Sequence, residues 1–128
     1  MANGDVTLRH SSAPAAKEIK ASAHYTYIVN GITLDGSKFA VNELVTEGQC
    51  LVRDNVTGKY EKAGADLTGK SNPVIMDESV KFKPKDDGTN PDLIAGQILV
   101  HGAVYTSMLT NCTAAFKTAV GAAIRFVE

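Results

Sequence analysis

Between residues 24 and 62 the apolar side chains come in short runs, separated by residues that favour turns. Tyr25, Tyr27 and Val29 alternate with smaller or polar residues, which is the period of a strand. Asn30-Gly31 follows, a pair that supplies the two positive φ values of a type I′ hairpin turn, and Ile32, Thr33 and Leu34 form the returning strand. Asp35-Gly36 marks a second turn before residues 38–41. Leu44-Val45 is apolar and is broken by Glu47-Gly48. The run "CLVR" at 50–53 is apolar and β-prone, residues 54–58 bend the chain, and residues 59–62 pair back. Asp54 and Asn55 can satisfy nearby backbone donors, and Gly58 can take the left-handed conformation that closes the loop.

The second half continues in the same manner. "NPVIMDESVKFKP" predicts strands around 74–76 and 80–82, and "KDDGTNPD" at 85–92 is a loop. The most apolar stretch, "LIAGQILVHGAVYTSML" at 93–109, contains Gly96 and Gly102, which interrupt any long helix. It predicts strands at 98–100 and 103–105, with a bend at His101-Gly102. One segment has the helical period: in "NCTAAFKTAVGAA", Phe116, Val120 and Ala123 share a face, and Asn111 or Thr113 can cap it. "AIRFVE" is a last strand. The fold class expected is mainly β, a small domain of hairpins with one short C-terminal α-helix, preceded by a flexible N-terminal arm.

The arm is expected over residues 1–22 and the domain over 23–128. "SSAPAAK" is too small and polar to bury a core of its own. Within the arm "DVTLRH" alternates: Val6 and Leu8 interleave with Thr7 and Arg9, so these four are the candidate contact residues. A short strand on a free arm invites pairing with the sheet edge of another protein; a polar tail without contacts is the alternative. The 128 residues fit one domain, and a chain of this size buries roughly two-thirds of its unfolded surface without staples.

Charge narrows the partners. Lys plus Arg number 13 and Asp plus Glu 14, a formal net charge of -1. That balance argues against nucleic acid, whose binding needs a net or local positive field. "KFKPKDD" mixes its signs and reads as a solvated loop, with an acidic partner surface as the second reading. No run of apolar residues is long enough to span a membrane, and no secretory signal is expected in the first residues. Cys50 and Cys112 lie in apolar contexts, so free buried thiols are expected ahead of a disulfide. "NVT" and "NCT" match the glycosylation acceptor pattern, which matters only in a secreted protein.

The search for reactive groups leaves little. His10, His24 and His101 are far apart in the chain and none has a partner at metal-ligand spacing, so core or interface imidazoles are expected rather than ligands. Asp54, Asp66, Asp86, Asp87 and Asp92 fall in turns or loops without the alternation of a Ca²⁺ loop. No Gly-x-Ser-x-Gly, Walker or Gly-x-Gly-x-x-Gly motif occurs, and "GADLTGK" at 64–70 reads as a turn. Lysines 59, 62, 70, 81, 83 and 85 are interleaved with acids, without aromatics for base stacking. No catalytic, cofactor-binding or metal residue is expected. Cys50 in "GQCLV" is the one nucleophile candidate, and it would need a positive neighbour and solvent access.

One resemblance emerges from the order of segments. A polar Ala/Pro-bearing arm precedes "ELVTEGQCLVRDNVTGKYEKA", then "DLIAGQILVHGAVYTSML", a short Ala-rich segment and the terminal "AIRFVE". This resembles the lambda-type head decoration proteins of tailed bacteriophages over residues 40–128. Residues 51–60 match the family's apolar, Asp, turn, Lys, aromatic segment, and residues 98–104 match its glycine-centred apolar stretch. The hairpin segment "HYTYIVNGITLDGSKFAV" departs from the shortest members. The resemblance implies a structural virion protein, made in the host bacterial cytoplasm and located on the outer capsid surface. It implies a homotrimer at local three-fold positions that binds the major capsid protein and stabilises the head, its arm ordering on the shell. A phage head fibre or host-adhesion module is the alternative, and a small enzyme or carrier domain lies further off.

Overall fold

A computed structural model of the chain describes residues 18–128. Ten strands follow in chain order: β1 (Thr26–Tyr27), β2 (Ile32–Leu34), β3 (Leu44–Val45), β4 (Cys50–Asp54), β5 (Tyr60–Lys62), β6 (Lys70–Met76), β7 (Val80–Lys81), β8 (Leu93–Ala95), β9 (Ile98–Tyr105) and β10 (Ile124–Val127). One helix, α1 (Ala114–Val120), precedes β10. The main sheet runs β10-β9-β6-β4-β5-β2-β8, with β1 also paired to β9; β3 and β7 form a separate ribbon. The domain is therefore mainly β with one short C-terminal helix, as its patterning predicts. Among the described residues no helix is long and apolar enough to cross a membrane.

The centre of the sheet explains the least periodic parts of the sequence. In β4, Leu51 faces one core with Val74, Met76 and Ile98, while Cys50 and Val52 face another with Ile75 and Leu99. Strands covered on both faces have no polar side to show, so they read as unbroken apolar triplets, CLV, VIM and ILV. The first face is closed by the stacked rings of Phe39 and Phe82, 4.8 Å apart. The second is closed by Phe116 and Val120 of α1, together with Ile19 and Ile124. α1 starts at Thr113, whose hydroxyl accepts from Phe116 N at 3.1 Å, and stops at Gly121 with φ 63°. Ala123 lies beyond that stop and is exposed.

Asp54 and Gly58 formed the expected turn, whereas the Asn55 side chain accepts from the side chains of Ser71 and Arg53 instead of backbone donors, and not every pairing formed. The hairpin of β4 and β5 is present, with Leu51 opposite Lys62 and Arg53 opposite Tyr60. Asp54 Oδ1 accepts from Val56 N at 2.8 Å inside its turn, and Lys70 bridges Asp54 and Glu61 across the strands. Asn30 and Gly31 both have positive φ, 70° and 69°. Yet β1 and β2 do not pair with each other: β1 lies on β9, and β2 lies between β5 and β8. Ile32 and Leu34 belong to the first core and Tyr27 packs on the second, so the turn routes the chain between two faces. Residues 38–41 form no strand; a 3-10 turn (Gly36–Lys38) takes their place. The Asn90 amide donates to the carbonyls of Phe39 and Ala40, holding that corner.

Two further expectations are corrected. His101-Gly102 does not break the strand: β9 is continuous, with its register shift against β1 between Leu99 and His101, because β10 and residues 19–21 continue the ladder on its two sides. The arm boundary at residue 22 is too late. Ile19 is fully buried, Tyr105 N donates to Ile19 O at 2.9 Å, and Ala21 N donates to Ala103 O at 2.8 Å. Burial of the Ile19 side chain in the second core outweighs the polar character of its neighbours.

Gly31, in the turn between β1 and β2, is one of the closest backbone approaches in the domain. A Cβ there would lie 2.3 Å from Ala95 O, at a φ that side chains rarely adopt. Gly31→Ala is expected to destabilise the domain by about 1–3 kcal/mol in urea unfolding. Gly64→Ala, with nothing within 4 Å, is the control and is expected to stay within about 0.5 kcal/mol of the parent. The hydrogen bond from Lys70, then those from Val56 N and Thr57 N, hold the Asp54 carboxyl down at about 2 against an ordinary 3.8. Such a group stabilises the fold above pH 3.8 and stops doing so as pH falls toward 2. Asp54→Asn is expected to flatten the acid limb of a stability-versus-pH curve in that window.

Candidate functional site

The candidate contact residues Val6, Thr7, Leu8 and Arg9 lie outside the described residues. The structure defines where the chain that carries them enters the domain. Residues 19–21 run antiparallel along residues 103–105 of β9, with Lys20 opposite Val104. The entry lies on the side of β9 away from β10, because Gly102 N donates to Ala123 O on the other side. Ile19 drops into the second core as an apolar peg.

A polar cluster fastens the entry. The Lys20 ammonium lies 2.6 Å from Asp77 Oδ2 and 3.0 Å from Glu18 Oε2. The Tyr27 hydroxyl donates to the same Asp77 oxygen. Lys20 also sits over the Tyr25 ring, 4.8 Å from its centroid. The strand alternation of Tyr25 and Tyr27 puts both rings on the Lys20 side of β1, 5.2 Å apart. Asp77 is buried, with its backbone N–H bonded to Gln97 O. Burial alone would lower the Lys20 pKa, but its hydrogen bonds to Asp77 and Glu18 outweigh that and hold it above the ordinary lysine value. Burial first, and then the hydrogen bond to Asp77, push the Tyr27 hydroxyl up to about 12. The cluster is thus built to stay charged on Lys20 and neutral on Tyr27 through the physiological range. Asp77 lies 57 positions from Lys20 and 50 from Tyr27, and the three match no motif; only the periodicity of Tyr25 and Tyr27 signalled one edge of the cluster.

The sequence-derived candidates elsewhere fall as follows. Cys50 and Cys112 are free. Cys50 is fully buried and burial pushes its thiol pKa well up, so it lacks the exposed thiolate a nucleophile needs. Asp54, Asp66 and Asp87 each accept hydrogen bonds within their own turns. Among the described residues no group of three or more His, Cys, Asp or Glu side chains converges as a metal site. The expectation that the histidines stand apart is corrected: His24 and His101, 77 positions apart in the chain, approach to 3.1 Å between Nε2 atoms. The β1–β9 pairing brings them together, and Gly102 allows it, because a Cβ there would meet Tyr25 Cβ at 3.1 Å and His24 O at 3.2 Å. Among the described residues Val29, Val56 and Ile94 are the most exposed large apolar side chains, and Tyr25 and Tyr105 at the entry are exposed as well.

Lys20→Met leaves the buried Asp77 carboxylate with fewer donors and is expected to lower stability at pH 7 by about 1–3 kcal/mol. Both raised pKa values mean that the cluster's stabilisation is complete below pH 10.0 for Tyr27 and 10.5 for Lys20, and fades as pH rises beyond them. Urea unfolding from pH 9 to 12 is expected to show a steeper alkaline loss in the parent than in Lys20→Met. No protein-family model, curated protein or solved structure matches the chain.

Proposed function

We propose that this chain is a structural virion protein that decorates and stabilises the outer surface of a tailed-phage capsid. In this reading it acts as a homotrimer at local three-fold positions and binds the major capsid protein. It does so through residues 1–17, with Val6, Thr7, Leu8 and Arg9 pairing as a strand. The resemblance of residues 40–128 to lambda-type head decoration proteins motivates the proposal. The observation that carries it is the entry at residues 19–21. A backbone ladder to β9, the Ile19 peg and the Lys20–Asp77 pair fasten the arm's base to the domain. A load taken by the arm is thereby passed to the main sheet rather than to a loop.

The physical advantage of three arms is effective concentration. A single short strand pairing is weak, but once one arm is seated the others bind intramolecularly, and avidity can exceed one arm's affinity by about 10² to 10⁴. Strand addition uses backbone donors and acceptors, so it needs no reactive side chain. In the turns at 54–58, 64–70 and 85–92, Asp54, Asp66 and Asp87 serve local backbone geometry, while Asn90 and Asp92 tie the third turn to residues 36–40.

The test joins solution mass with capsid binding. Sedimentation equilibrium is expected to give three times the 13.5 kDa chain mass. Co-sedimentation with expanded shells of a tailed phage is expected to retain the full chain and to lose a variant lacking residues 1–17, which keeps Ile19 and Lys20. A monomer that ignores such shells, or binding unaffected by the deletion, refutes the proposal. Glycan binding without shell binding favours an adhesion module instead.

A further inference from the structure

The His24 and His101 side chains form a geometry that neither the fold nor the proposed decoration role requires. Both rings are exposed, their Nε2 atoms are 3.1 Å apart, and the ring planes stand at 89°. A structural hydrogen bond between two exposed imidazoles contributes little to stability, because water serves either ring equally well. The backbone nevertheless brings them together with some care. His101 lies at the register shift between β1 and β9, and Gly102 removes the side chain that would hold residues 24–25 away.

We propose that His24 and His101 are a two-imidazole chelate for a divalent transition metal ion of the Zn²⁺, Ni²⁺ or Cu²⁺ class. Imidazole nitrogens bind such ions at about 2.0–2.1 Å. Two nitrogens 3.1 Å apart, each about 2.05 Å from a shared ion, subtend an angle of about 98° at it. That lies between the roughly 90° of a square-planar site and the roughly 109° of a tetrahedral one. Metal binding replaces the hydrogen bond between the two nitrogens, each neutral imidazole giving its Nε2 lone pair to the ion while Nδ1 carries the proton. Both histidines line a surface cavity of about 360 Å³, together with Ser22, Gly102, Ala123 and Arg125 among others. The small walls leave room for water or one further ligand to fill the remaining positions.

The cavity's composition sets the class of ion. No carboxylate lines it, and Arg125 does. Hard cations such as Ca²⁺ and Mg²⁺ require oxygen ligands, mostly carboxylates, and a negative field, so they are excluded. Imidazole-preferring ions bind through the nitrogen lone pairs, and Arg125 favours an anionic co-ligand such as chloride or a carboxylate in the open position. The site is independent of the arm and of capsid binding.

Isothermal titration of the full-length protein with NiCl₂ and CuCl₂ at neutral pH tests the chelate. The expected result is saturable binding of one ion per chain, retained in His10→Ala and absent with MgCl₂. His24→Ala and His101→Ala are each expected to weaken it on the order of tenfold or more, and the double variant to abolish it. Because both rings are exposed, circular dichroism of the variants is expected to match the parent. No saturable binding by the parent, equal binding by all variants, or loss with His10→Ala alone overturns the proposal.

Discussion

The domain depends on burying three neighbouring strands, β4, β6 and β9, on both faces at once. Their apolar triplets have no side that tolerates water, so two separate covers must be supplied from elsewhere in the chain. Phe39 and Phe82 close one face, while α1 with Ile19 and Ile124 closes the other. Each cover joins residues from two or more separate segments of the chain, so neither face closes within one hairpin. This requirement explains why β1 and β2 part company after a turn that suits a hairpin: each is worth more against a different face than against the other.

The same requirement reaches into the N-terminal segment. Ile19 is needed in the second core, and once it is there the backbone of residues 19–21 falls into line with β9. Lys20 is then carried toward the interior, where an unpaired ammonium would be costly. Asp77, Glu18 and the Tyr25 ring surround it. The ion pair is therefore a consequence of the apolar peg as much as a fastening in its own right. Together they make the base of the arm part of the domain, which suits a segment proposed to transmit force to a shell.

The histidine pair follows from the same pairing seen from outside. Running β1 along β9 with a register shift puts residues 24 and 101 side by side. A ligand pair assembled by strand pairing has no short spacing in the sequence, unlike a pair one helical turn apart. The Lys20–Asp77–Tyr27 cluster was hidden for the same reason, as was the approach of the Gln49 amide to Asn111.

What the sequence determined by itself was local. The mainly β character, the β4–β5 hairpin with its Asp54 turn, the positive φ at Asn30-Gly31, and the helix capped by Thr113 are all set by residues within a few positions of one another. Such contacts carry little chain entropy, so composition and spacing decide them. Tertiary structure decided the rest: which strands pair, that Ile19 belongs to the core, that residues 98–105 form one strand, and that His24 meets His101. Those outcomes depend on filling two apolar faces simultaneously, a condition on volume and closure that no single stretch of sequence expresses.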